Sequence, residues 1–245
     1  MRRVRITMLI LLTFSVAPPA EAEGGAAIAG APVAAYGQQE FGFVHFVKYE
    51  DCRQWWLLPT VAGDHVQIDW EVQDPYIELR LYSVGTTDFN FLQKSALASG
   101  GVNANMKAEF TYVSEESGDL PMLFTDPGCY GNAEPGPYNF TAQVTHSIVV
   151  GSPNIAVLRV HGVVAVPVHD PTGGEVNNPA VSCALEIKGR NHWSTIGRAP
   201  VARSLATIHF TVPARLRHQS VTLRAVATGA GYFTASSNSR RARTL

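Results

Sequence analysis

The densest short group of side chains able to do chemistry closes the stretch LRLYSVGTTDFN, where Thr86, Thr87, Asp88 and Asn90 follow Gly85. Carboxylate and amide oxygens are what a hard cation takes. The same side chains also stabilise turns by binding nearby backbone amides. The group lacks the dense Asp/Asn alternation of a cation-binding loop, so a turn is the expectation. A second acidic group, Glu115, Glu116 and Asp119 in SEESGD, reads as a solvated hairpin loop, with a weak cation site as its alternative. His161 and His169 fall on one face of a regular strand, but Asp170 is the only acid beside them, so surface histidines fit better than metal ligands. Pro167 between them suggests an edge or bulge that breaks the parity. His146 lies on the apolar side of its run, the position of a hydrogen-bonded core histidine rather than a base. There is no G-x-S-x-G elbow, no H-E-x-x-H and no phosphate-cradling glycine loop. No catalytic residue, cofactor or metal ligand is therefore assigned, and the sequon at Asn139 is read as chance because it falls inside a strand.

The three cysteines divide two and one. Cys52 and Cys129 flank the first ordered region, and a bridge between them closes a long loop, a constraint of about 4–5 kcal/mol in the chain-entropy model. Cys183, in VSCALEI, shares a strand face with Val181, Leu185 and Ile187 and is expected as a buried free thiol, with pairing between chains as the alternative.

Charge is divided as well. Residues 23–152 hold 5 Lys/Arg against 16 Asp/Glu, a net −11, whereas residues 153–245 hold 11 against 3, a net +8. The change falls at the turn residues Gly151, Ser152, Pro153 and Asn154, a reasonable domain boundary. In the basic half, Arg215, Arg217, Arg240, Arg241 and Arg243 are candidate anion-binding residues through their summed field. Their other readings are a solvated face or neutralisation of the acidic half. Aromatic residues are not interleaved with them as single-strand nucleic-acid platforms require, so nucleic acid is excluded as a partner.

The elements that must position these groups are strands. In HVQIDWEV, Val66, Ile68, Trp70 and Val72 alternate with His65, Gln67, Asp69 and Glu71, and Ile77, Leu79 and Leu81 repeat the period after QDPY, which predicts a hairpin. YNFTAQVTHSIVV alternates over its whole length, from Tyr138 to Val150. AVSCALEIK, ATIHFTVP and SVTLRAVAT do the same in the second half, with Gly, Pro and Asn turns between them. The expectation is an all-β chain of two consecutive β-sandwiches, over 41–152 and 153–245.

Ahead of them stand Arg2, Arg3 and Arg5, an apolar run over 6–16 and the small-x-small site Ala20, Glu21, Ala22, the pattern of a secretory signal peptide over 1–22. The run is too short for a permanent anchor. Residues 23–40 read as a flexible Gly/Ala-rich lead-in.

Two resemblances follow. LPTVAGDHVQIDW, LRLYSVGTTDFN and PYNFTAQVTH make the first region similar to secreted bacterial β-sandwiches of the pre-peptidase C-terminal type. VSCALEIKGRNHWSTIGRAPV, with Trp193, and VTLRAVATGAGYFTASSN make the second resemble bacterial immunoglobulin-like or fibronectin-type modules. Ala225, Val226 and Ala227 stand where an antibody-type domain would place a cysteine partner for Cys183. The resemblance implies domains found as non-catalytic companions. The expected role is a secreted, non-catalytic binding or structural protein outside the cell or at its surface, associated with anionic cell-envelope polymer or a surface protein. The alternative is a secreted hydrolase or an accessory module of one.

Overall fold

The computed structural model describes residues 27–44, 52–72, 76–88, 90–103, 106–126, 136–189 and 192–245. The signal segment 1–22, the turn at 73–75, Cys129 with its Gly/Pro-rich loop and Arg190 lie outside the described residues. Within them the fold is all-β, since apart from two single 3-10 turns, Phe91–Gln93 and Ala214–Leu216, every element is a strand. None of the described helices is long and apolar enough to cross a membrane.

Eight strands build the N-terminal half: β1 (Gln39–Val44), β2 (Arg53–Thr60), β3 (His65–Val72), β4 (Ile77–Leu81), β5 (Ala98–Val102), β6 (Met106–Val113), β7 (Gly118–Thr125) and β8 (Gly136–Thr145). They form two antiparallel sheets, β1-β8-β3-β6 and β2-β7-β4-β5. The alternating residues of β3 and β4 all turn into the core between these sheets, as their period predicts. The expected hairpin is not formed, because β3 pairs with β6 and β8 whereas β4 pairs with β5 and β7. Both runs bury a face against the same core, so the chain crosses from one sheet to the other instead of turning back within one. The Glu115–Glu116 loop is corrected in the same way, for it joins β6 to β7 in opposite sheets.

Residues 27–40, expected as a flexible lead-in, are packed. Ala34 N–H donates to Leu57 O at 2.8 Å and Leu57 N–H to Pro32 O at 2.9 Å. Ile28 and Ala31 join Trp55, Tyr82, Phe91 and Leu123 in a small apolar cluster on the outer side of β2 and β7. Two consecutive tryptophans on β2 explain why. Trp56 enters the main core, so Trp55 must point out and needs its own cover.

The C-terminal half contains β9 (Val149–Val150), β10 (Val157–Leu158), β11 (His161–His169), β12 (Ser182–Lys188), β13 (Trp193–Pro200), β14 (Leu205–Thr211), β15 (Ser220–Gly229), β16 (Tyr232–Ser236) and β17 (Arg240–Thr244). The sheet β14-β11-β9 and the sheet β10-β17-β15-β12-β13, with β16 on β15, share one aliphatic core. Val181, Cys183, Leu185 and Ile187 are buried together in it. Pro167 does not break parity, since β11 keeps continuous register with β14 and buries Val164, Val166 and Val168. The run from Tyr138 to Val150 does break. β8 ends at Thr145, and Ile148 and Val150 already belong to the C-terminal core, a few residues before the shift in composition.

Candidate functional site

Asp88 binds the chain's own backbone. Its carboxylate accepts Ile28 N–H at 2.8 Å and Ala29 N–H at 3.3 Å, pinning the lead-in over Trp55. Thr86 N–H donates to Ser83 O at 3.1 Å and Thr87 N–H to Asn90 Oδ1 at 2.9 Å, which closes the turn. Among the described residues no group of three or more His, Cys, Asp or Glu could hold a metal ion. His161 and His169 lie at opposite ends of β11, about 27 Å apart at strand rise, too far to share one. Asp170 is committed to a turn, accepting Thr172 N–H at 2.8 Å, Thr172 Oγ1–H at 2.6 Å and Gly174 N–H at 2.8 Å. Burial raises its carboxyl, but these bonds outweigh it and hold the group below the usual range.

The acid and histidine that do meet are Asp64 and His146, 82 positions apart. Asp64 is fully buried; its carboxylate accepts Val61 N–H at 2.8 Å and His146 Nδ1–H at 2.9 Å. His146 is also one of the points where the two halves touch. Its N–H donates to Gly231 O at 2.8 Å, its carbonyl accepts Phe233 N–H at 3.0 Å, and its ring lies 5.0 Å from that of Tyr232. Ser147 Oγ–H, the neighbouring hydroxyl, is spent on Gly63 O at 2.6 Å. The arrangement braces a joint, with the carboxylate fixing the imidazole and the His146 backbone bonded to the strand that holds Phe233. Sequence reading placed His146 in a core and passed over Asp64. The Gly-Asp turn in VAGDHV marked the acid, but nothing local marked its partner.

The candidate arginines are gathered at one end of the larger C-terminal sheet. β17 lies between β10 and β15, with Arg241 opposite Thr222 and Arg243 opposite Ser220. Ala242 and Thr244 turn inward, so Arg241 and Arg243 stand on the outer face. The loop holding Arg215 and Arg217 is tied to the end of β17, where Thr244 Oγ1–H donates to Leu216 O at 2.5 Å. Arg215, Arg217, Arg240, Arg241 and Arg243 are all exposed. Arg240 donates to Asn154 Oδ1 at 3.0 Å, and none of the five forms an ion pair with a described residue. Further along the same face, Arg224 Nε–H meets Glu186 at 2.8 Å while its guanidinium lies 4.3 Å from the Trp193 ring centre. Trp193, sequence-distant from most of these arginines, thus joins the basic face through strand pairing. Cys183 is free and buried, and Cys52 is disulfide-bonded.

No protein-family model matches the chain, and no curated protein matches it. Solved structures with some likeness include a periplasmic inhibitor of g-type lysozyme, PliG, from Aeromonas hydrophila, at 14% identity and TM-score 0.35, covering 46% of this chain and 99% of that one. Another is the glycoside hydrolase domain of Endo-D from Streptococcus pneumoniae R6, at 9% identity and TM-score 0.26, covering 83% of this chain and 32% of that one. The BSP domain of a biofilm-associated protein aligns at 9% identity and TM-score 0.28, covering 76% and 46%. Likeness at this level has no bearing on function.

Proposed function

We propose that the chain is a secreted, non-catalytic binding protein that works outside the cell or at its surface and holds anionic cell-envelope polymer on the arginine-rich end of its C-terminal half. The observation that carries this reading is the convergence of Arg215 and Arg217, from a loop, with Arg241 and Arg243, from β17, on exposed surface without a carboxylate partner among the described residues. Among the described residues, none of these arginines pairs with a carboxylate of the acidic half. Among the described residues the contact between halves includes His146 with Gly231, Tyr232 and Phe233, and His65 with Phe233, through backbone bonds and rings. Unpaired cations on a sheet face attract a polyanion through summed field, and that attraction weakens once the Debye length falls below about 10 Å.

The test is retention of the full chain on immobilised polyphosphate and on an uncharged matrix. Retention on the polyanion alone, released as salt rises to about 0.5 M and abolished by Arg215→Glu, Arg217→Glu and Arg241→Glu together, supports the proposal. Retention that ignores either the polymer's charge or these substitutions overturns it.

A further inference from the structure

The outward face of β6, β3, β8 and β1 carries a polar grid fixed by strand register. In one row Gln67 stands between Thr111 and Gln143; in the next Asp69 stands between Glu109 and Thr141, with Gln39 beyond. A third row sets Glu71 between Lys107 and Asn139, and Phe41 follows on β1. Two open hollows mark the face. One hollow of about 530 Å³ lies over Asp69, Glu109 and Thr141, and another of about 380 Å³ lies over Gln67 and Gln143. Phe233 of the C-terminal half closes the second hollow, its ring centre 4.6 Å from that of His65.

We infer that this face is a binding site for a linear glycan built of neutral or amino sugars. Side-chain amides both donate and accept, hydroxyls do the same, and carboxylates accept. That inventory matches a chain of sugar hydroxyls, each of which must donate and accept. Its exposed aromatic side chains, Phe41 and Phe233, stand at the edges of the face, whereas the anchors of protein partners sit at the centre of an interface.

Charge narrows the sugar. Lys107, the cation of the grid, is taken by Glu71 at 3.2 Å, and Asp69, which accepts only the neutral Gln67 amide at 3.4 Å among the described residues, stands directly opposite Glu109. Like charges directly opposed across strands are destabilising. An acidic sugar is repelled there, whereas an amine or hydroxyl donor relieves the pair.

Calorimetric titration of the full chain with a glucosamine hexamer, cellohexaose and hexagalacturonate tests the site. The expected result is binding of the first two, tighter for the glucosamine hexamer, and none of the third. Gln67→Ala with Gln143→Ala should weaken both by about tenfold, the loss of charge-free hydrogen bonds in a partly dry site. Asp69→Asn with Glu109→Gln should remove the preference for the amine while the thermal midpoint holds or rises, which separates lost recognition from lost folding. Absence of binding to both the glucosamine hexamer and cellohexaose overturns the inference, as does binding unchanged by both variant pairs. Concentration-dependent self-association abolished by Asp69→Lys would instead assign the face to the basic surface of a second copy.

Discussion

The two halves share an architecture and differ in what fills it. The N-terminal core is aromatic: Trp56, Phe124, Tyr138 and Phe140 meet, with Phe124 and Tyr138 stacked at 4.4 Å and Trp56 edge-on to Phe140 at 5.0 Å. Trp56 Nε1–H donates to the Tyr138 hydroxyl at 2.9 Å, which satisfies both polar tips in the dry interior. The C-terminal core is aliphatic, built mainly from Val, Leu, Ile and Ala, with Phe210 at its margin. Large rings need space on the opposing strand. Tyr138 takes it at Gly42, where an added Cβ would lie 2.2 Å from the ring. The aliphatic half uses the same device once, for Phe210 over Gly162, and adds a close approach to backbone, since an added Cβ at Gly197 would lie 2.3 Å from His209 O. The same contrast holds outside. One half presents an amide and carboxylate face, the other a basic face, while the joint between them rests on hydrogen bonds and rings. Among the described residues, no ion pair joins the two halves.

The largest effect should come from Phe140→Ala, a ring-sized cavity in the aromatic core, at a cost of about 3–5 kcal/mol. Scanning calorimetry should show one transition falling while the C-terminal one stays in place. If the whole protein shifts as a single transition, the joint at His146 couples the halves and the contrast between cores has no thermodynamic meaning.

Gly197→Ala comes next. The methyl group must displace β14 from β13, at about 1–3 kcal/mol by analogy with overpacked interiors, and this time only the C-terminal transition should fall. Asp88→Ala is smaller, about 1–2 kcal/mol for two orphaned amides. Its sharper readout is hydrogen exchange: Ile28 and Ala29 should lose protection while β12 and β15 keep theirs. Unchanged protection at those two amides would show that the lead-in is held by its apolar contacts alone.

The smallest effect concerns Cys183, whose thiol is pushed up by burial from 9.0 to about 11. The folded protein holds this proton more tightly than the unfolded chain. The difference is therefore fully present below pH 9 and lost as pH rises from about 9 to about 11. Cys183→Ala should flatten that part of the stability curve. A thiol reagent at pH 8 should leave the folded protein unmodified, and rapid labelling there would contradict a buried thiol.

Much of the molecule was legible in residue order. Period-two alternation fixed which side of β3, β4, β8, β12 and β15 is buried, because a strand has two faces and the core accepts one of them. The all-β class and the inert setting of Cys183 followed from the same fact. Which strand pairs with which did not follow. β3 and β4 carry identical signals whether they form a hairpin or cross between sheets, since alternation records burial and is silent on hydrogen-bond partners. Asp88 announced a turn, yet its reach to Ile28 and Ala29 depends on a lead-in folded back over Trp55. Asp64 with His146, and Leu216 with Thr244, are contacts between distant segments. Sequence supplied the charges and polar groups, and strand register, set by packing across two cores, decided which of them stand side by side.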